Sequence, residues 1–426
     1  MLTTIAIILI ALFAIGVPIS ISMGLAGFST ILLRGDIPIE VTAQRLVTGV
    51  DSFPLLAVPF FILAGSLMNT GGVTERLVRL ANTLVGHLTG GLGHVVVVTN
   101  MIMAGMSGSA VADAAGTGSV LIPAMTRSGF APSFSAAVTA SASTIGPIIP
   151  PSIPFVIYGV MASVSIGRLF LGGAIPGVLM GLYLMAVVYV VSKKRGYAKG
   201  EKAACGTVVT AFKEGLPALM LPVIILWGIV GGVVTPTEAA VLAVLYALLL
   251  GTVVYRELTF SSLVRVFGEA ALTTGAIMFI VAGASLLAWI LTREQAGPTL
   301  VKAVTSITTD PRLVLLIINI ILLILGCFLE TLSIMIILVP VLMPLVKTLG
   351  IDPVHFGVVF TLNLMIGLIT PPVGMSMFIS CSIAKIKVVD FAREIPIFVG
   401  ALVAVLLIIT YIPDVVLFLP NLIMGK

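Results

Sequence analysis

Long apolar segments recur along the whole chain, from Met1 to Met424, and short polar stretches separate them. Most of these segments approach or exceed the roughly 20 residues that a helix needs to cross the hydrocarbon core of a membrane. They lack the alternation of apolar and polar positions, over about ten residues, that a transmembrane β-barrel strand requires. The pattern therefore predicts an all-α polytopic membrane protein.

Composition supports the same interpretation. Hydrophobic residues make up 59% of the 426 residues, and charged residues make up only 9%. A soluble domain carries charge on about a quarter of its residues, because its surface must stay hydrated. A water-soluble globular fold is therefore excluded.

Glycines and prolines of the first half of the chain recur in the second half. The matching pairs, 221 positions apart, are Gly105 and Gly326, Gly146 and Gly367, and Pro150-Pro151 and Pro371-Pro372. Upstream the spacing falls to 218 positions, which pairs Pro18 with Pro236. Such internal symmetry is typical of a duplicated transporter. We expect two repeats of about five spans each, with one re-entrant hairpin per repeat.

One loop carries an excess of basic residues: Lys193, Lys194, Arg195, Lys199, Lys202 and Lys213. The positive-inside rule places this loop in the cytoplasm. The matching end of the second repeat, residues 411–426, has no such cluster. The two repeats are therefore expected to be inverted, with both chain termini in the periplasm.

The predicted segments follow the same plan in each repeat. Repeat 1 (1–192) comprises scaffold helices 1–70, an interfacial arm 73–88, a hairpin 91–126, a broken helix 132–160 and a helix 169–192. A cytoplasmic linker covers 193–215. Repeat 2 (216–426) comprises scaffold helices 216–255, a helix 268–292, an interfacial arm 297–309, a hairpin 312–347, a broken helix 353–384 and a helix 396–420.

Each predicted hairpin has polar residues at its tip. The stretch from Gly105 to Gly118 contains Ser107, Ser109 and Asp113, between apolar runs too short to cross the membrane alone. Its counterpart after Gly326 contains Glu330 and Thr331. Polar groups at membrane depth are tolerated where they are buried in protein or line a cavity.

Each predicted broken helix contains a cluster of prolines. The first break, residues 141–152, contains Pro147, Pro150 and Pro151; the second, residues 363–374, contains Pro371 and Pro372. Proline removes N–H groups and leaves carbonyls without helical partners. Carbonyls and hydroxyls suit Na⁺, and the N-termini of half-helices suit a substrate carboxylate.

Simpler structural roles compete with these site assignments. Asp113 and Glu330 could cap the second helix of each hairpin instead of contacting a ligand. Ser141, Ser143 and Thr144 could bond to the preceding helical turn.

The residues at three of these places resemble the large membrane subunit of TRAP (tripartite ATP-independent periplasmic) transporters. The similarity lies in the hairpin tip Gly-Met-Ser-Gly-Ser-Ala-Val-Ala-Asp, the run Thr-Ile-Gly-Pro-Ile-Ile-Pro-Pro-Ser and the later Gly-Leu-Ile-Thr-Pro-Pro-Val-Gly. It extends over essentially the whole chain in length and motif order. The resemblance implies a Na⁺-coupled importer of a small organic acid, of the sialic acid or C4-dicarboxylate class, in the bacterial inner membrane.

The resemblance also implies partners and a mechanism. The partners would be a small four-helix membrane subunit and a periplasmic substrate-binding protein. Both hairpins and both broken helices would form a transport domain that slides against the scaffold, as in an elevator.

Site residues follow from the resemblance by position. Two or more Na⁺ ions are expected, and one sodium site would use Ser107, Gly108, Ser109, Ser143, Gly146 and Ile149. The other would use Gly326, Cys327, Thr331, Gly367 and Thr370. Substrate contacts would come from Asp113, Ser141, Thr144, Pro147, Glu330, Asn363 and Pro371. Because two of these are acidic, Na⁺ is expected to bind before an anionic substrate.

Two other classes of function compete with this interpretation. A stand-alone Na⁺/dicarboxylate symporter without a binding protein would share the hairpins. Such families typically carry Ser-Asn-Thr at both hairpin tips, which this chain lacks. An enzyme would need a catalytic motif, and the chain contains no HExxH, GxSxG or GxxxxGK[ST]. The sequence therefore favours a transporter that neither catalyses a reaction nor hydrolyses ATP itself.

Overall fold

A computed structural model describes residues 1–425, which contain twenty α-helices and no β-strand. The first four helices are α1 (Leu2–Ala14), α2 (Ile19–Arg34), α3 (Glu40–Val50) and α4 (Ala57–Thr70), and a 3₁₀ turn at Phe53–Leu56 precedes α4. Pro18 separates α1 from α2, because proline donates no backbone hydrogen bond to a continuous helix. The short α3 was not anticipated among the scaffold helices.

Helix α5 (Val73–Val85) is the predicted amphipathic arm. Its face with Leu77 and Leu80 is buried, while Arg79 is exposed and forms an ion pair with Glu214 at 3.2 Å. Polar contacts therefore attach the outer face of α5 to a helix that comes much later in the chain.

The rest of the first half contains the predicted hairpin and broken helix. Its helices are α6 (Gly91–Ser107), α7 (Ala110–Arg127), α8 (Pro132–Ser143), α9 (Ile153–Ala162) and α10 (Ile166–Arg195). The hairpin arms α6 and α7 are separated by only two residues, and α8 is separated from α9 by the proline-rich stretch 144–152.

The next four helices are α11 (Cys205–Val230), α12 (Pro236–Leu249), α13 (Phe260–Arg293) and α14 (Ala296–Thr305), with a π-helical turn at Leu250–Val254 after α12. Helix α12 begins with a capping box, in which Thr235 and Glu238 each bond to the other's backbone. The linker predicted at 193–215 is shorter, 196–204, because α11 continues through Pro217 instead of starting near it.

The last six helices are α15 (Pro311–Gly326), α16 (Thr331–Thr348), α17 (Pro353–Gly367), α18 (Met375–Ala384), α19 (Val388–Tyr411) and α20 (Asp414–Met424). The single helix expected at 396–420 is in fact two helices. The chain leaves helical geometry at Ile412, and Pro413 then starts α20.

Within residues 1–425, seven helical stretches are long and apolar enough to cross a membrane, by length and composition alone. The hairpin and broken-helix arms are mostly shorter. The structure therefore agrees with a polytopic membrane protein.

The arms of the broken helices pack against the hairpin of the other half. Helix α18 packs against α7 and α8, and α9 packs against α16 and α17. Helices α8 and α17 are buried on all sides, from Phe134 to Ser143 and from Val354 to Gly367. These contacts between the two halves bring both hairpins and both breaks into one central cluster.

Candidate functional site

The tip of the first hairpin is a tight turn of two residues. Gly108 has a φ of +59°, and Ser109 caps α7 by accepting a hydrogen bond from the Ala112 N–H at 3.4 Å. A Cβ on Gly108 would lie 2.8 Å from the Pro151 carbonyl oxygen. The first tip is therefore pressed against the first break, and only glycine fits there.

The tip of the second hairpin is capped by an acid. The Glu330 Oε2 atom accepts hydrogen bonds from the Ser333 N–H at 2.9 Å and the Ser333 hydroxyl at 3.1 Å. Glu330 therefore caps α16, as the simpler structural role predicts. Its carboxylate lies at the start of that helix.

The second tip is also bonded to the second break. The Val373 N–H donates to the Cys327 carbonyl at 3.1 Å. Gly326 and Gly367 touch directly, because a Cβ on Gly367 would lie 2.6 Å from the Gly326 carbonyl oxygen. Both tips therefore lie on the break of their own half.

Asp113 does not cap a helix. It lies in the first turn of α7, is fully buried, and neither of its carboxyl oxygens has a hydrogen-bond partner within residues 1–425. A Cβ on Gly146 would lie 2.3 Å from Asp113 Oδ2, so the carboxyl group lies against the first break. Asp113, Ser107, Ser109 and Gly146 thus meet around one small region.

The polar side chains at the first break divide into two groups. The hydroxyl of Ser143 donates to the Ala140 carbonyl at 2.8 Å, and that of Thr144 donates to the Ser141 carbonyl at 2.6 Å. The alternative of bonding to the preceding turn therefore holds for these two residues. The buried hydroxyl of Ser141 itself has no partner in the described part of the chain.

Both breaks contain a cis peptide bond, at Pro150-Pro151 and at Pro371-Pro372. In the second break the Thr370 hydroxyl donates to the Ile366 carbonyl at 2.7 Å, and its oxygen keeps lone pairs for another partner.

A cavity of about 440 Å³ lies between the two tips. Its walls include residues of α4 and, from Thr273 to Ile280, the middle of α13. The polar side chains that line it are Ser66, Ser107, Ser109, Thr273, Glu330 and Thr331. This volume is in the range of about 300–1,000 Å³ that small-molecule sites occupy.

Four helices begin at this cavity. The first residues of α7, α9, α16 and α18, which are Ala110, Ile153, Thr331 and Met375, all line it. We call these helices the four inner helices. Each presents the positive end of its dipole to the same space.

The predicted site residues divide between this cavity and the packed protein behind it. Ser107, Gly108, Ser109, Pro147, Glu330 and Thr331 line the cavity. Asp113, Ser141, Ser143, Thr144, Gly146, Ile149, Gly326, Cys327, Asn363, Gly367, Thr370 and Pro371 are not among its lining residues.

Asn363 contacts a neighbouring helix and not the cavity. Its side-chain amide donates to the Asn319 carbonyl at 3.0 Å and to the Asn319 side chain at 2.9 Å. Asn319 in turn donates to the Thr410 hydroxyl at 3.0 Å. This polar chain joins α15, α17 and α19.

Sequence reasoning missed the wall of the cavity opposite the tips. Ser66 of α4 and Thr273 of α13 line this wall, and only their hydroxyls, which interrupt apolar stretches, could have marked them. Among residues 1–425, no three His, Cys, Asp or Glu side chains are grouped so that they could hold a metal ion. Oxygen donors at this site are thus hydroxyls, carbonyls and single carboxyl groups.

Comparison with protein-family models gives one match over most of the chain. Residues 6–415 match the model described as "Tripartite ATP-independent periplasmic transporter, DctM component".

Several characterised proteins are similar over nearly the whole chain. The isethionate TRAP transporter permease protein DctMQ of Oleidesulfovibrio alaskensis is 46% identical over 95% of this chain, which spans only 64% of that protein. The sialic acid TRAP transporter large permease protein SiaM of Vibrio cholerae is 43% identical over 96% of both chains. The 2,3-diketo-L-gulonate TRAP transporter large permease protein YiaN of Escherichia coli is 42% identical over 95% of both.

Solved structures of lower identity share the fold. The Alcanivorax borkumensis YdaH transporter is 13% identical, with a TM-score of 0.67 over 91% of this chain and 90% of that one. Neisseria gonorrhoeae MtrF is 14% identical, with a TM-score of 0.62 over 87% of this chain and 84% of that one.

Proposed function

Because this chain belongs to the DctM components of tripartite ATP-independent periplasmic transporters, we propose that it is a Na⁺-coupled importer of a small organic acid. It is the large, multi-pass membrane component of such a system in the bacterial inner membrane. The family implies two partners, a periplasmic binding protein and a small membrane subunit. We propose that the binding protein delivers the acid and that this chain carries it across the membrane.

One observation supports an anion site above all others. The four inner helices begin at a single cavity, which Ala110, Ile153, Thr331 and Met375 line together. A helix N-terminus carries about half a positive charge and free N–H groups, and in a site of low dielectric constant both attract an anion. A carboxylate or sulfonate is the expected ligand.

We propose that the coupling ion binds behind this cavity. A buried carboxyl group without a hydrogen bond costs several kcal/mol unless a cation or a proton accompanies it. Asp113 has that environment, beside Gly146 and the first tip. Na⁺ bound there would be a transported substrate, and its positive charge would help the adjoining cavity to accept an anion.

A second ion would bind in the other half. Gly326, Cys327 and Thr331 of the second tip, with Gly367 and Thr370 of the second break, offer carbonyl and hydroxyl oxygens. Because no acid among these five residues is the counterpart of Asp113, the two ions would be bound with different affinities.

An elevator motion is the mechanism that we propose. The tips and breaks pack together as one cluster, while α4 and α13 form the facing wall of the cavity. Sliding of the cluster past that wall would carry the cavity from one side of the membrane to the other. Inverted repeats and periplasmic termini are part of the same proposal.

The substrate class follows from the relatives. Those described above are named for isethionate, sialic acid and 2,3-diketo-L-gulonate, and others are named for C4-dicarboxylates. All of these are small organic anions, and we propose one for this chain. The family match does not favour the alternative of a stand-alone Na⁺/dicarboxylate symporter.

Reconstitution tests the proposal. Proteoliposomes containing this chain and its small subunit would receive the binding protein and labelled sialic acid, isethionate or succinate, with a Na⁺ or a K⁺ gradient. We expect saturable uptake of at least one acid that needs both Na⁺ and the binding protein. Equal uptake with K⁺ would refute sodium coupling, and uptake without the binding protein would support the stand-alone symporter.

A further inference from the structure

We infer that the cavity between the tips accepts a hydroxylated monoanion and discriminates against a dicarboxylate. This inference rests on the proposed function, and it narrows the substrate class of the same site. It follows from the charges and hydrogen-bonding groups that line the cavity.

The charged side chains at the cavity do not favour a dianion. Among the described residues that line the cavity, none is Lys, Arg or His, and the only ionisable one is Glu330. An anion in this cavity must therefore be neutralised by helix dipoles and by any neighbouring bound cation. A second negative charge on the same ligand would lie uncompensated in a site of low dielectric constant, beside an acid.

The four inner helices are not equally free to bind an anion. Ser109 and Ser152 cap α7 and α9, and Glu330 caps α16. The carboxylate of Glu330 already uses the N–H groups and the dipole at the start of α16. An anionic group of the substrate is thus disfavoured at that end of the cavity.

The N-terminus of α18 differs from the other three. Its N-cap is Gly374, which has no side chain, and the Leu368 carbonyl accepts the Met377 N–H at 3.4 Å, so within residues 1–425 only the Met375 and Ser376 N–H groups of the first turn lack a partner. Ser376, in the first turn, is fully buried, and its hydroxyl has no partner within residues 1–425. Met375 lines the cavity and Ser376 is not among its lining residues, so the donors for one anionic group are the Met375 and Ser376 N–H groups, with the Ser376 hydroxyl next to them.

The remaining polar groups suit hydroxyls. Five hydroxyl side chains line the cavity, on Ser66, Ser107, Ser109, Thr273 and Thr331. The Glu330 carboxylate is an acceptor that a sugar-like hydroxyl can satisfy and a second carboxylate cannot. A molecule with one anionic end and a hydroxylated body therefore fits both ends of the cavity.

The test compares acids that share a carbon skeleton and differ in charge. Gluconate and glucarate form one pair, and threonate and tartrate form a smaller one. Binding of each acid to the purified complex of this chain with its small subunit would be measured by thermal shift and by titration calorimetry, in Na⁺ buffer and without the binding protein. We expect the monoanion of at least one pair to bind about tenfold or more tightly than its dianion, because one charge is left unpaired.

A substitution assigns the discrimination to Glu330. Glu330→Gln keeps an oxygen that can accept the Ser333 hydrogen bonds, so α16 stays capped. The variant should reduce the preference for the monoanion by about tenfold, mainly by improving dianion binding. Glu238→Gln, in the exposed capping box of α12, is the matched control and should leave the preference unchanged.

Three results would overturn the inference. Equal or tighter binding of the dianions would show that the cavity does not select by charge. If Glu330→Gln lowered the affinities for the monoanion and for the dianion equally, Glu330 would act only as a structural cap. Failure of every acid to bind, while Na⁺-dependent uptake through the binding protein persists, would place substrate selection outside this cavity and leave the proposed function intact.

Discussion

At the scale of single residues, Asp113 is the group whose environment most needs an explanation. It is fully buried, and its carboxyl oxygens have no hydrogen-bond partner in residues 1–425, although Ser107 and Gly146 are close. Apolar burial of such a group is costly, and a bound cation is the simplest compensation in a transporter.

Replacing Asp113 with Asn keeps the shape of the side chain and removes its charge. We expect the apparent Na⁺ affinity for uptake to fall by about tenfold or more, because the cation loses an acidic neighbour. Uptake at varied Na⁺ concentration measures the change. Asp414→Asn, at the exposed start of α20, is the matched control. Unchanged sodium dependence in Asp113→Asn would remove this residue from the ion site.

Hydroxyls at the two sodium sites give a second prediction. Thr370→Ala and Ser109→Ala should each lower apparent Na⁺ affinity, since each removes an oxygen ligand. Ser109→Ala also removes the cap of α7, which costs about 1 kcal/mol of stability. Thr370→Ser and Ser109→Thr retain the hydroxyls and should behave like the unmodified protein. If sodium dependence were unaltered in both alanine variants, the two residues would not be ligands.

Single residues also show what the sequence could and could not predict. The tips at Gly108 and Glu330 were predictable, because polar and glycine residues stand out in an apolar chain. The role of Glu330 as a cap depends on Ser333 and was left open. Ser66 and Thr273 were missed, because only packing of distant helices brings them to the same cavity.

At the scale of elements, the two broken helices and two hairpins determine the architecture. The proline pattern of residues 141–152 predicted that α8 and α9 are two separate helices. The pattern of residues 363–374 predicted the same for α17 and α18. The split between α19 and α20 and the early start of α11 were not predicted. In each of those cases the sequence offers only a single proline. Pro413 lies between two helices and Pro217 lies within one, and tertiary packing determines which of the two outcomes occurs.

Close packing between the second tip and the second break gives a prediction for one glycine. Gly367→Ala would place a Cβ 2.6 Å from the Gly326 carbonyl oxygen, and backbone cannot move aside easily. We expect a loss of stability of about 1–3 kcal/mol, as overpacking usually causes. Thermal unfolding of the purified complex measures it.

Gly400→Ala is the matched control, because a Cβ added to this glycine of α19 would have no atom within 4 Å apart from the nearby backbone of its own helix. Alanine favours a helix over glycine, so this variant should be as stable as the unmodified protein or more so. Equal stability of the two variants would show that α17 and the second hairpin are not in close contact.

At the scale of the whole molecule, each broken helix packs one of its arms against the hairpin of the other half. This packing explains why the two halves share one cavity. Helix α18 packs on α7 and α8, and α9 packs on α16 and α17, so neither half can build the site alone. The four inner helices then begin together, and the wall of α4 and α13 closes the cavity. The sequence predicted a repeat but not these contacts between the halves, because spacing alone does not say which arms pack together.

The central claim is that buried carbonyls, hydroxyls and the Asp113 carboxyl group are held at membrane depth by sodium ions. Equilibrium binding of radioactive Na⁺ to the purified complex, without any organic acid, tests it most directly. We expect saturable binding of more than one ion per chain, not displaced by excess K⁺ and reduced in Asp113→Asn. Absence of saturable Na⁺ binding, or displacement by an equal concentration of K⁺, would contradict it.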